Sequence, residues 1–133
     1  MIVLDASAAI EWLLQTPRAA AVEGRLFSTS SNAPALHTPH LLDVEVAQVL
    51  RKHVVAGIMT AARAREALDD LRDVRLIRYP HDFLLSRIWE LRHNLTAYDA
   101  TYVALAEVLE APLITCDTNI AVAPGHHAQV EVI

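Results

Sequence analysis

The chain has 133 residues, 53% of them hydrophobic and 20% charged, with a net charge of −5 and a mean hydropathy of +0.27. That suits one domain over 1–133 with a sizeable core; it excludes an intrinsically disordered chain, and a single cysteine, Cys116, excludes a disulfide-built miniprotein. The surplus of 16 Asp and Glu over 11 Lys and Arg argues against nucleic acid, unless several acids are gathered in one place to hold cations.

Residues Ile2-Val3-Leu4 read as a short strand buried on both faces, ahead of a polar turn. Helices are predicted over 8–14 and 18–27, with Pro17 suited to the first turn of the second. The Ser, Thr, Asn and Pro of 28–34 read as a connecting loop. Pro39 introduces a helix over 41–55 that Gly57 closes, and Thr60 can cap another running to 72. A strand over 74–79 is stopped by Pro80, helices follow over 82–92 and 97–110, and short strands cover 112–115 and 130–132. Strands alternating with helices predict an α/β sandwich around a mostly parallel sheet. Ligands of such sheets sit beyond the carboxyl ends of the strands. No basic leader is legible, no apolar run is long enough to span a bilayer, and an unpaired cysteine suits a reduced compartment; a cytoplasmic protein without membrane contact is expected.

Four acids fall on that rim. The strand at Ile2-Val3-Leu4 delivers Asp5, and Leu113-Ile114-Thr115 delivers Asp117 two residues beyond its end; each acid is followed two residues later by a short polar side chain, Ser7 or Asn119. Asp99 opens an amphipathic helix in Thr96-Ala97-Tyr98-Asp99, and Glu45 lies in the first turns of the 41–55 helix on a stripe with Gln48 and Lys52. Singly, each has a plain structural reading. Asp5 and Asp117 suit helix N-caps, Thr96 with Asp99 forms a variant capping box, and Glu45 suits a solvated helix face. Together they would crowd one pocket. Two carboxylates about 6 Å apart repel by roughly 3 kcal/mol at an effective dielectric near 20, so such a group takes up protons or a multivalent cation. Oxygen-only ligands favour Mg²⁺ or Mn²⁺ over zinc.

Asp5 in MIVLDASA, Glu45 in HLLDVEVAQVLRK, Asp99 in LTAYDATYVALAEVL and Asp117 in PLITCDTNI together resemble the PIN-domain ribonucleases, most of all the VapC-type toxins of bacterial toxin–antitoxin pairs. The likeness runs essentially end to end, with 40, 54 and 18 residues between successive acids. It implies a three-layer α/β/α fold, Mg²⁺- or Mn²⁺-dependent endonucleolytic cleavage of RNA, a homodimer, and inhibition by a small VapB-like antitoxin. In that reading Asp5 and Asp99 bind the main metal. Glu45 and Asp117 complete the shell or hold a second ion, and Ser7, Thr115 and Asn119 orient carboxylates or waters.

Two other readings compete. An aspartate-based phosphohydrolase or phosphotransfer domain would use Asp5 as phosphoacceptor, but position 7 is Ser where a second Asp is wanted, and the sole lysine, Lys52, falls on a helix. A non-catalytic α/β interaction module would use the acids only as caps. His37, His40, His53, His81 and His93 share no metal-ligand spacing, and His126 and His127 read as loop residues. Cys116 reads as packing, and Trp12 and Trp89 as core or dimer contacts. Arg51, Arg63, Arg65, Arg72, Arg75 and Arg78 could flank an RNA groove, and the helices at 41–55 and 60–72 carry enough apolar residues to receive a partner helix.

Overall fold

The computed structural model describes residues 1–27 and 31–133, so part of the 28–34 loop lies outside the described residues. Five parallel strands form one sheet in the order β3-β2-β1-β4-β5. They are β1 (Ile2–Leu4), β2 (Leu36–Pro39), β3 (Leu76–Tyr79), β4 (Leu113–Thr115) and β5 (Val130–Val132). Among the described residues, seven α-helices connect or flank them: α1 (Ala6–Leu13), α2 (Ala19–Leu26), α3 (Leu41–Val55), α4 (Ala61–Asp73), α5 (Leu85–Glu90), α6 (Ala97–Leu109) and α7 (Thr118–Val122). The architecture is the α/β sandwich around a parallel sheet that the alternation predicts, in the three layers that the resemblance implies.

The chain runs outward from β1 through β2 to β3, then returns past β1 to β4 and β5. Right-handed crossovers therefore put α1 to α4 on one face and α5 to α7 on the other. That reversal opens a crevice at the carboxyl ends of β1 and β4, where one connection leaves toward each face. Leu4 pairs with Ile114, and the Asp5 amide donates to Ile114 O at 3.2 Å. Asp5 thus stands level with Thr115 across the crevice.

The strand cores are Ile2, Val3, Leu4, Leu113 and Ile114, all at most 2% exposed, as strands covered on both faces require. Helix α6 is buried along its length from Ala100 to Ala106, small alanines letting it lie close on β1, β2 and β4. Helix α3 buries Leu42, Val46 and Leu50, one residue per turn. It ends in a Schellman turn: Gly57 takes φ +73°, its amide donates to Val54 O at 3.0 Å, and the Ile58 amide donates to His53 O at 2.9 Å. The closing role read for Gly57 is the one it has.

Several boundaries differ from the sequence reading, each for a local reason. Strand β2 was not anticipated, because Leu36-His37-Thr38-Pro39 lacks an apolar pattern. Thr38 Oγ1 donates to Leu4 O at 3.0 Å and His37 Nδ1 bonds the Tyr79 hydroxyl at 2.8 Å, while His37 Nε2 is buried without a partner among the described residues. Helix α1 starts at Ala6 because Asp5 caps it. Pro17 lies outside α2, whose N-cap is Arg18. Val74 belongs to the end of α4, and the helix expected over 82–92 is a 3₁₀ turn, Asp82–Leu84, followed by α5.

Candidate active site at the carboxyl rim of the sheet

Asp5, Glu45, Asp99 and Asp117 all line one open cleft of about 790 Å³ at the crevice, together with Ser7, Lys52, Tyr98 and Tyr102. Each acid arrives on a different element. Asp5 and Asp117 leave the ends of β1 and β4 and cap α1 and α7, their Oδ1 atoms accepting from the Ala8 and Asn119 amides at 2.9 Å. Asp99 sits in the first turn of α6, and its amide donates to the capping Thr96 Oγ1 at 3.1 Å. Glu45 projects from the second turn of α3. For Asp5 and Asp117 the capping reading and the clustering are therefore both true, whereas Asp99 follows the Thr96 cap and Glu45 is half-buried rather than on a solvated face.

Asp5 is the most constrained of the four. It is 3% exposed, and both of its oxygens accept hydrogen bonds. Oδ1 takes the Ser7 hydroxyl at 2.7 Å besides the Ala8 amide, and Oδ2 takes the Thr115 hydroxyl at 2.5 Å. Those two hydroxyls in turn accept from the loop after β4, Ser7 Oγ from the Cys116 amide at 2.8 Å and Thr115 Oγ1 from the Asp117 amide at 2.9 Å. Ser7 and Thr115 thus stitch the Asp117 loop to the Asp5 carboxylate, as positions that orient it should. Asn119 contributes its backbone amide, which fixes Asp117.

Burial pushes the Asp5 carboxyl above its ordinary value, against the donors that stabilise its charged form, and the Asp99 charge adds to the rise. Burial likewise raises Glu45, opposed by the Tyr102 hydroxyl and reinforced by Asp99 and Asp5. Asp99 is raised by burial and then by the charge of Asp117. Every one of the four therefore feels or exerts this mutual repulsion, the condition under which carboxylates accept a proton or a cation.

Among the described residues, no three His, Cys, Asp or Glu side chains close into a ready-made metal cage. The donor set nonetheless suits a small hard cation. It is all oxygen, acidic and half-open, and Mg²⁺ commonly binds through one or two carboxylates, several waters and a substrate phosphate.

Other candidates fall away from the cleft or are otherwise engaged. Arg78 pairs with Asp43 at 2.7 Å, Arg65 with Asp69 at 3.3 Å, and Arg63 donates to Leu13 O at 2.8 Å. Cys116 is half-buried against the core. Trp12 packs on Phe27 with ring centroids 5.1 Å apart. Trp89 is no core residue: it is 68% exposed, with the Arg92 guanidinium 4.7 Å over its ring. His126 and His127 lie in the loop before β5. One site residue escaped the sequence reading. Tyr102, on the amphipathic helix that Asp99 opens, reaches Glu45; a phenol three residues after an acid, on its helical face, is the signal that could have found it.

Comparison with known proteins agrees with this picture. The PIN domain family model matches residues 2–125. Ribonuclease VapC1 of Mycobacterium tuberculosis is 42% identical, covering 98% of this chain and 96% of its own. Ribonuclease VapC12 of the same organism is 39% identical, covering 100% and 99%. The fold matches that in the crystal structure of VapBC2 from Rickettsia felis bound to a promoter DNA fragment, with a TM-score of 0.72 and 15% identity over 99% of this chain and 98% of that one. The chain belongs to the PIN-domain family, in its VapC ribonuclease branch.

Proposed function

We propose that this protein is a Mg²⁺- or Mn²⁺-dependent endoribonuclease acting as the toxin of a VapBC-type pair. The observation that carries the reading is the convergence of four carboxylates from four elements on one cleft, three of them raised by burial and each other's charge. The VapC ribonucleases that match over nearly the whole chain supply the activity. The same resemblance carries a VapB-like antitoxin and a homodimer, and the single cysteine suits a cytoplasmic location. Among the described residues no helix is long and apolar enough to cross a membrane.

Asp5 and Asp99 would hold the main cation, with Glu45 and Asp117 completing its shell through water or holding a second ion. When bound, such a cation lowers the pKa of a water and polarises the scissile phosphate. The chain's own part is to fix the oxygens. Ser7, Thr115 and the Ala8 amide hold Asp5 in one orientation. The Asn119 amide holds Asp117. Lys52, on the same stripe of α3 as Glu45, lines the cleft and places a positive charge there for a substrate phosphate.

The test is incubation of the purified protein with total RNA in Mg²⁺, Mn²⁺ or EDTA. Cleavage into discrete fragments with either cation, absent in EDTA and in Asp99→Asn, is expected. Unchanged cleavage in EDTA overturns the metal assignment, and intact RNA under every condition overturns the nuclease.

A further inference from the structure

Tyr102 is 1% exposed, the largest of the fully buried side chains. Its ring stands in the core, where α6 lies on the sheet, yet the residue also lines the cleft. Its hydroxyl donates to Glu45 Oε2 at 2.6 Å, joining helices 57 residues apart in sequence. Asp5 has three donors, shared between its two oxygens; for Glu45 the described residues supply Tyr102 alone. A glutamate side chain loses up to about 1.5–2 kcal/mol of rotamer freedom when fixed. A buried phenol with two torsions, wedged in packed core, is a rigid post against which to fix it.

We propose that Tyr102 is the positioning residue for Glu45, holding one carboxylate oxygen so that the other serves the cation of the cleft. The inference rests on the metal-dependent nuclease reading. It adds a residue outside the acidic quartet and gives α6 a second duty, since the same helix face supplies Asp99 and, one turn on, the post for Glu45. Burial and the neighbouring Glu45 charge push the phenol far above its ordinary value, so it remains a donor at any physiological pH.

A buried hydroxyl also needs a partner for its own sake, and the experiment separates the two roles. Mn²⁺ binding to the full chain is measured by calorimetry without RNA, alongside melting temperature and the Mn²⁺ concentration for half-maximal cleavage. The proteins compared are wild type, Tyr102→Phe, Glu45→Ala and the double variant. Tyr102→Phe is expected to weaken Mn²⁺ binding about tenfold, the lower end of what loss of a ligand's hydrogen-bond partner costs, and to raise the half-saturating Mn²⁺ by a similar factor. In the Glu45→Ala background it is expected to change neither. Replacing Tyr102 by 4-aminophenylalanine, which keeps a donor in place, is expected to restore wild-type binding, and this variant serves as well should Tyr102→Phe melt early. Unchanged Mn²⁺ affinity in Tyr102→Phe, an equal loss with or without Glu45, or failure of the amino analogue to rescue overturns the assignment. A wild type that cleaves RNA while the variant binds Mn²⁺ normally sinks Tyr102 alone; a wild type that neither binds Mn²⁺ nor cleaves sinks the nuclease reading with it.

Discussion

Charge and architecture can be separated at Asp5. In Asp5→Asn the amide oxygen can keep the Ala8 cap and the Ser7 bond while the amide nitrogen faces Thr115 Oγ1. The threonine proton then turns to Ser7 Oγ, 3.1 Å away, and each of the three donors that Asp5 satisfies keeps an acceptor. Asp5→Ala removes the cap, at about 1 kcal/mol; of the Ser7 and Thr115 hydroxyls, 3.1 Å apart, one can donate to the other and one is left without an acceptor, at roughly 1–3 kcal/mol. The loss is about 2–4 kcal/mol in all. Unfolding entropy near 2.1 cal/mol/K per residue gives this chain about 0.28 kcal/mol/K. Asp5→Ala should therefore melt about 7–14 °C below wild type, and Asp5→Asn within about 4 °C of it. Both should lose RNA cleavage. Calorimetry in EDTA and a gel assay in Mg²⁺ read the two effects apart. Equal melting of the two variants would refute the hydrogen-bonded role drawn for the carboxylate, and wild-type cleavage in either would refute its place in the chemistry.

Three further outcomes are expected. At 10 mM Mg²⁺ and a dissociation constant near 1 mM, binding adds about 1.4 kcal/mol, raising the wild-type Tm by about 5 °C; Asp99→Asn should show little of this rise. His37 is 5% exposed and burial holds its imidazole below the ordinary 6.5. The unfolded chain then binds the extra proton first, so His37's contribution is complete above pH 6.5 and fades as pH falls toward the lower folded value; His37→Gln should flatten the Tm profile between those limits. Arg87 grips Glu107 through two bonds of 2.8 and 3.0 Å, and Glu107 also accepts from the His127 amide at 2.7 Å. Arg87→Met should cost about 1–3 kcal/mol in urea melts at pH 7. The Arg87 bond holds Glu107 below its usual 4.5, so the gap from wild type is full above that pH and closes as pH falls through the lowered value.

The rim location of all four acids was legible because two short apolar runs each end in Asp and because parallel sheets place function at that edge. Their shared cleft was legible from charge reasoning and from the resemblance, whereas their hydrogen bonds were not. That Ser7 and Thr115 both serve Asp5 depends on the register of Leu4 with Ile114, which no local pattern encodes. Strand β2 hid because His37 and Thr38 look polar until their partners in β3 and β1 are known. Helix α7, five residues long, offers too little periodicity to be read. Tyr102 hid in plain view on an apolar face, since its packing and its hydroxyl answer different demands.

The bond from Thr115 to Asp5 spans 110 positions of chain. At a synthesis rate of about 5–20 residues per second, the fifth residue waits on the order of ten seconds for its distant hydroxyl to be made. Until β4 slides in beside β1, the early acid has neither its second clamp nor the neighbouring loop. A half-made copy, or one cut short before β4, therefore holds Asp5, Glu45 and Asp99 but lacks both the Thr115 hydroxyl and the loop that brings Asp117 to the cleft.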